Sequence, residues 1–431
     1  MNILLKNIDY IDTQNTCVVK NGNIGIKDGV IDFIDPNHVV RVDFAADKVI
    51  SGKHRLAIPG LVNAHTHTAM TLFRNYADDL SLEDWLFNKI FPAEAKLTGE
   101  DVYWGTMLGI AEMIKSGTTS FADMYIHMDH VAEAVTNTGI RANLTIGPLI
   151  LNAGEMGRTV EDTDRCREYF KKWNNSSKGR IKVYLEVHSS YMFTEEYLKN
   201  AVDLAKELKT GIHTHILETK NELETSVEKY GMNSAEEFNK CGLFDVPLIA
   251  AHCVHLTDKD IDILKQKNVN VVHNPTSNLK LGSGIARIPD MLKRGINVAI
   301  GTDGAASNNN LNMFEEMNLT SLIHKGVNMD PLLISASQAI KMATLNGAQA
   351  IGFGDVTGQI KKGMKADISI IDTDKLHFTP SNNMVSSIVY SCQGSDVDTV
   401  IVDGKILMEG RELKTIDEEL VKYKVKECLK A

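Results

Sequence analysis

His65 and His67 close a short apolar segment, Ile58-Pro59-Gly60-Leu61-Val62-Asn63-Ala64-His65-Thr66-His67. Side chains two apart on a strand leave from the same face, so both imidazoles can reach one cation. Imidazole is a borderline-soft nitrogen donor that suits zinc, iron or nickel. Two donors do not complete a site, and the rest of the chain must supply the others. Later apolar segments also end on possible ligands, at His188, at His213, His215 and Glu218, at His252 and His255, at His273-Asn274, and at Thr302-Asp303-Gly304.

These ends belong to a repeating pattern. Ile58–Ala64, Thr118–Met124, Arg141–Ile146, Ile181–Val187, Gly211–Leu217, Pro247–Val254, Asn270–His273 and Asn297–Gly301 read as strands. Helical periodicity separates them, as in Asp101–Lys115, Glu195–Leu208, Asp258–Lys267 and Asp330–Ala350. Alternating strands and helices predict an α/β fold, a parallel (β/α)8 TIM-like barrel, whose active site lies at the C-terminal strand ends. A doubly wound open sheet is the rival, but no glycine-rich phosphate loop follows the first strand.

The two ends of the chain have another texture. Ile3–Ile8, Thr16–Val19, Asn23–Ile26 and Val30–Ile34 read as short strands, with Asn21-Gly22 and Asp28-Gly29 as hairpin turns. Near the C-terminus Ala366–Ile371, Val385–Tyr390, Thr399–Val402 and Lys405–Met408 are strand-like, and Asp403-Gly404 is another turn. Neither end alone has enough strands for a stable sheet. Residues 1–57 and 358–431 are therefore expected to pair into one small β-sandwich domain beside a barrel of residues 58–357.

The chain has 431 residues, 43% of them hydrophobic, enough for a sizeable core. The net charge of −10 argues against nucleic acid as a partner. No apolar run is long enough for a membrane span, and Met1–Tyr10 alternates like a strand rather than a signal peptide. Six scattered cysteines form no C-x-x-C pair, which fits a reduced, cytoplasmic protein. Cys253 reads as a buried structural thiol.

Five segments together resemble the amidohydrolase superfamily, and within it the methylthioadenosine/S-adenosylhomocysteine deaminase group. They are Pro59–His67, His213-Thr214-His215-Ile216-Leu217-Glu218-Thr219, Ala251-His252-Cys253, His273-Asn274-Pro275-Thr276-Ser277-Asn278 and Gly301-Thr302-Asp303-Gly304. The likeness spans nearly the whole chain and includes Gly363–Ile368 in the terminal β-region. It implies that His65, His67, His215 and Asp303 bind one divalent ion, zinc ahead of iron or nickel. Three neutral imidazoles and a carboxylate leave a position for water, whose pKa the ion lowers to about 7. Relatives with two metals need a lysine on the fourth strand; Val183–His188 has none at its end, so one metal is expected.

The same resemblance implies roles for other residues. Glu218 is the proton donor to a ring nitrogen of the substrate, which requires a raised pKa. His252 holds the attacking water, and Asp303 takes that water's proton and passes one to departing ammonia. His255 and His273 are expected to be structural. Leu82–Leu86 and Ile90–Glu94 resemble a lid, with Glu94 accepting from ribose hydroxyls, and His188 matches a nucleoside contact. Arg158 matches, loosely, a residue near the substrate's 5′ end. Ile146 stands where many relatives carry an arginine for the carboxylate of S-adenosylhomocysteine, and an apolar side chain cannot form that ion pair. A preference for small or apolar 5′-groups is expected. The implied reaction is hydrolytic deamination of 5′-modified adenosines by a homo-oligomer, a dimer or tetramer. The alternatives are a guanine, cytosine or triazine hydrolase and, remotely, a metal-free assembly protein.

Overall fold

Eight parallel strands hydrogen-bond side by side in chain order: β1 (Leu61–Thr66), β2 (Thr118–Asp123), β3 (Arg141–Ile146), β4 (Ile181–Glu186), β5 (Ile212–Ile216), β6 (Leu248–His252), β7 (Asn270–His273) and β8 (Val298–Ile300). The computed structural model describes residues 1–36, 44–147 and 159–429. The strands are buried on both faces, as their continuous apolar runs require. One face packs against the surrounding helices. The other fills the barrel with Val62, Ala64, Ala122, Tyr184, Ile249, Val272 and Ala299, closed below by Ile351 and Phe353.

Side chains, not a backbone ladder, join β8 to β1. Asn63 Oδ1 accepts from Thr302 N at 2.9 Å, and Asn63 Nδ2 donates to Thr302 Oγ1 at 2.7 Å. One residue further, Asp303 N donates to His65 O at 3.0 Å. The strands approach closely here: a Cβ on Gly301 would stand 2.8 Å from both His65 N and His65 O. Glycine admits this contact, and it brings Asp303 level with His65.

Both chain ends form one nine-stranded mixed sheet. Ile3–Asp12, Cys17–Lys27, Val30–Asp35, Lys48–Ser51 and Arg55–Pro59 come from the N-terminal side, and Ile368–Asp372, Val397–Val402, Lys405–Glu409 and Glu412–Leu413 from the C-terminal side. The two sets join where Arg55–Pro59 pairs antiparallel with Ile368–Asp372. Ile3, Leu5, Ile24, Ile26, Ile368 and Ile370, at alternate positions, give this sheet its own core. A buried ion pair ties it to the barrel, with Arg141 Nε donating to Asp367 Oδ2 at 2.7 Å and Arg141 Nη2 to Oδ1 at 3.1 Å.

Three local expectations are corrected. Asn21-Gly22 is not a hairpin turn: it lies inside the single strand Cys17–Lys27, where Asn21 (φ 52°) sits at a register shift and donates its N–H to Asp9. The chain reverses instead between Asp12 and Cys17. Val385–Tyr390 is helical, Met384–Tyr390, capped by Asn383 and packed on helices Met313–Asn328 and Ala336–Met342. A short apolar run carries no period of its own, and those neighbours decide its form. Asp330–Ala350 is two helices, Ala336–Met342 and Leu345–Ala350, broken at Thr344 (φ −132°, ψ −90°). Asp28-Gly29 and Asp403-Gly404 are hairpin turns with both residues at positive φ, as expected. Among the described residues no helix is long and apolar enough to cross a membrane.

Candidate metal centre and active site

The C-terminal ends of β1, β5, β6 and β8 bring four histidines and one aspartate together. Donor atoms of His65, His67 and Asp303 lie within 4.8 Å of one another, as do those of His65, His215 and His252. His65 is common to both sets. Asp303 Oδ1 stands 3.4 Å from His65 Nε2 and 3.3 Å from His67 Nε2. The ring of His215 is 4.9 Å from that of His65 and stacks on that of His67 at 5.5 Å.

Each imidazole is turned by a bond at its far nitrogen. His67 Nδ1 donates to Met124 O, and His215 Nδ1 donates to His188 O at 2.7 Å. Carbonyls only accept, so in both rings the proton sits on Nδ1 and the Nε2 lone pair faces inward. His65 Nδ1 pairs with His213 Nε2 at 2.8 Å, and His252 Nδ1 with Asn278 Oδ1 at 2.8 Å. His65 Nε2 is fully buried and has no hydrogen-bond partner. Burial, against the pull of Asp303, brings the His65 pKa down to about 4 and holds that of His215 well below its usual value. Burial alone would raise Asp303, but His65 and the neighbouring imidazoles hold its carboxyl well below the usual range. The low-pKa imidazoles of His65 and His215, an ionised carboxylate and an orphaned inward nitrogen make a donor set that fits a divalent cation.

Asp303 is itself fixed. Ser277 Oγ donates to its Oδ2 at 2.6 Å, Ser307 Oγ to the same oxygen at 2.9 Å, and Gly304 N to Oδ1 at 2.8 Å.

Glu218 follows β5 through Leu217, which has φ 47°. Its Oε2 is 3.8 Å from His252 Nε2, and Ser283 Oγ donates to Oε1 at 3.4 Å. Burial raises the Glu218 carboxyl to about 7 against the opposing pull of His252, so much of it stays protonated near neutrality. Its backbone is held by a second buried acid. Glu222 accepts from Leu217 N at 3.0 Å, from Glu218 N at 2.9 Å and from Ser234 Oγ at 2.7 Å. The signal for Glu222 was its spacing, three residues after the helix cap Thr219, yet its carboxylate caps the loop rather than the cap residue.

A helical segment covers the mouth. Leu82–Trp85 starts at the Ser81 cap and runs on through Leu86–Ile90 and Phe91–Glu94. Asn221 Nδ2 donates to Glu83 Oε1 at 2.8 Å and latches this segment to the helix after β5. The Phe91 ring lies 6.4 Å from His188, whose own ring is 4.6 Å from that of His215. Glu94 is buried, and burial raises its carboxyl to about 7, an effect the facing Tyr125 hydroxyl reduces. Tyr125 follows β2 and its ring is 6.5 Å from that of His67.

Arg158 falls outside the described residues. Ile146 packs in the apolar layer between barrel and helices. His255 bonds Ser283 O at 2.8 Å and His273 meets His324 at 3.3 Å, away from the ring of donors, and Cys253 is fully buried. Sequence reading gave no role to Ser277, Asn278, Glu222 or Tyr125, and it named His213 only as a possible ligand, whereas His213 instead pairs with the far nitrogen of His65. Ser277 and Asn278 stood within the His273–Asn278 motif, and His213 one strand period before His215.

A barrel of eight parallel strands with His, His, His and Asp at its C-terminal mouth defines a metal-dependent hydrolase class of site. The profile of the amidohydrolase family matches residues 56–407. The 5-methylthioadenosine/S-adenosylhomocysteine deaminase of Acetivibrio thermocellus is 63% identical, covering 100% of this chain and 99% of that protein. The 5′-deoxyadenosine deaminase of Methanosarcina mazei is 47% identical, covering 97% and 95%. Among solved structures, an adenosine deaminase from Xanthomonas campestris with bound zinc superposes with TM-score 0.95 at 32% identity, covering 99% and 98%. The chain belongs to the amidohydrolase family.

Proposed function

We propose that this chain hydrolytically deaminates the adenine ring of 5′-modified adenosines, giving the inosine analogue and ammonia. The substrates are 5′-methylthioadenosine, S-adenosylhomocysteine, 5′-deoxyadenosine and adenosine. The observation that carries the reading is Glu218, a buried acid with a pKa of about 7, set 3.8 Å from His252 beside the inward-facing imidazoles. That is an acid poised for proton transfer at neutral pH. Relatives named as deaminases match over essentially the whole chain and point to the same chemistry.

His65, His67, His215 and Asp303 would hold a zinc ion, which when bound supplies the Lewis acidity that makes water a nucleophile near pH 7. Glu218 donates its proton to a ring nitrogen, which makes the adjacent carbon electrophilic. His252 orients the attacking water through Nε2. Asp303 accepts one proton of the water and passes it to the amino group, the C–N bond breaks as ammonia leaves, and the hydroxyl proton remaining on the carbon returns to Glu218 as the carbonyl forms. Glu94 accepts from the ribose hydroxyls, His188 contacts the nucleoside, and Arg158 is assigned to the 5′ end. Residues 58–357 form the catalytic unit and residues 1–57 with 358–431 its supporting domain. The enzyme is cytoplasmic and homo-oligomeric, which fractionation and light scattering would check.

Ammonia release from the four nucleosides, assayed with zinc against guanine, cytosine and an aminotriazine, tests the reading. Turnover of the nucleosides with bound zinc supports it. Faster turnover of a free base or a triazine overturns it.

A further inference from the structure

Among the described residues, Glu94 Oε1 at the end of the lid segment, the Tyr125 hydroxyl and Asp123 Oδ2 are buried with no hydrogen-bond partner. Glu94 is 9% exposed and Tyr125 8%. Leaving such groups unpaired costs about 1–3 kcal/mol each, so a fold keeps them where a ligand completes them. Asp123 has a structural explanation, because its Oδ1 caps Thr68 N and Thr68 Oγ1, both at 2.7 Å. Tyr125 and Glu94 have none. The hydroxyl faces the carboxyl closely enough to hold its pKa down, yet neither atom closes a bond to the other. The Tyr125 ring also stands 6.5 Å from His67, at the edge of the donor cluster.

An atom able to bridge this gap must donate to a carboxylate and accept from a phenol. A sugar hydroxyl does both, and two vicinal hydroxyls fill both carboxylate oxygens as well. We propose that Tyr125 is a specificity-determining residue whose hydroxyl, with Glu94, clamps the vicinal diol of the substrate's ribose. The clamp presupposes the nucleoside reading of the site given above. Tyr125 donates to one ribose oxygen while Glu94 accepts from that hydroxyl and its neighbour. The enzyme therefore favours ribonucleosides over deoxyribonucleosides, and the phenol carries part of that preference.

The test compares wild-type enzyme with Tyr125→Phe, which keeps the ring and its packing. Each is assayed with zinc on 5′-methylthioadenosine and on its 2′-deoxy and 3′-deoxy forms. The variant is expected to lose about tenfold in kcat/KM on the ribonucleoside, mostly through KM, the factor that one hydrogen bond of about 1.4 kcal/mol supplies. On the deoxy form that lacks the contacted hydroxyl, it should lose less than about twofold. Equal losses on all three substrates would assign Tyr125 a structural role and overturn the clamp, as would no loss on any. Absence of wild-type turnover on every nucleoside would instead defeat the deaminase reading, and the clamp with it. Thermal melting of the variant separates a folding defect from either result.

Discussion

Ser277 holds Asp303 by one carboxylate oxygen and leaves the other to face the histidines, steadied there by Gly304 N. Its hydroxyl donates to Oδ2 at 2.6 Å, while Oδ1 faces His65 and His67 at 3.4 and 3.3 Å. Such supporting bonds commonly govern metal affinity by about 10–100-fold. Ser277→Ala is expected to weaken zinc retention by a factor in that range, measured by competition with a chelator. Asp303→Asn, which removes the charge, should abolish turnover and lower zinc content measured by elemental analysis.

Glu218 sets the alkaline limb of the pH profile. An acid with a pKa of about 7 is protonated below that value and loses its proton as pH rises through it. The kcat/KM, which reports the free enzyme, is therefore expected to fall on going from pH 6 towards pH 8. Glu218→Gln cannot donate this proton and should reduce kcat by about 10²–10⁴-fold with zinc content unchanged. A variant that kept both the rate and the alkaline limb would remove Glu218 as the acid.

Glu222 acts on the reaction through the backbone of Glu218. Glu222→Ala leaves the N–H groups of Leu217 and Glu218 without their buried acceptor, a loss of about 1–3 kcal/mol. Melting temperature and kcat should fall together, and Glu222→Gln, which keeps one acceptor oxygen, should recover part of both. Full activity in Glu222→Ala would show that the loop holds its shape unaided.

The Arg141–Asp367 pair is buried, with side chains 2% and 0% exposed. Removing one partner strands the other charge, which typically costs about 3–5 kcal/mol. Asp367→Ala is expected to lower stability by that amount in urea unfolding. The pair lies at the start of β3, at the barrel end opposite the metal ligands, so the protein that remains folded should keep its kcat.

Much of this arrangement was legible in the linear chain, for identifiable reasons. The barrel strands are buried on both faces and read as apolar runs; β3 and β7 begin and end where their composition does. His65 and His67 share a face because a strand repeats every two residues, whatever surrounds it. The Asn21-Gly22 step and the Val385–Tyr390 helix were not legible, since a bulge needs its partner strand and a short apolar run takes its form from what it packs against.

The chain alone thus determined which residues could ligate and the order in which strands deliver them, because periodicity and residue chemistry are local. Tertiary structure decided what holds those residues in place. The Asn63–Thr302 seam spans 239 positions, the Ser277–Asp303 bond 26 and the His65–His213 contact 148. No local pattern encodes such pairs: they form only when the barrel closes and buried polar groups must find partners away from water.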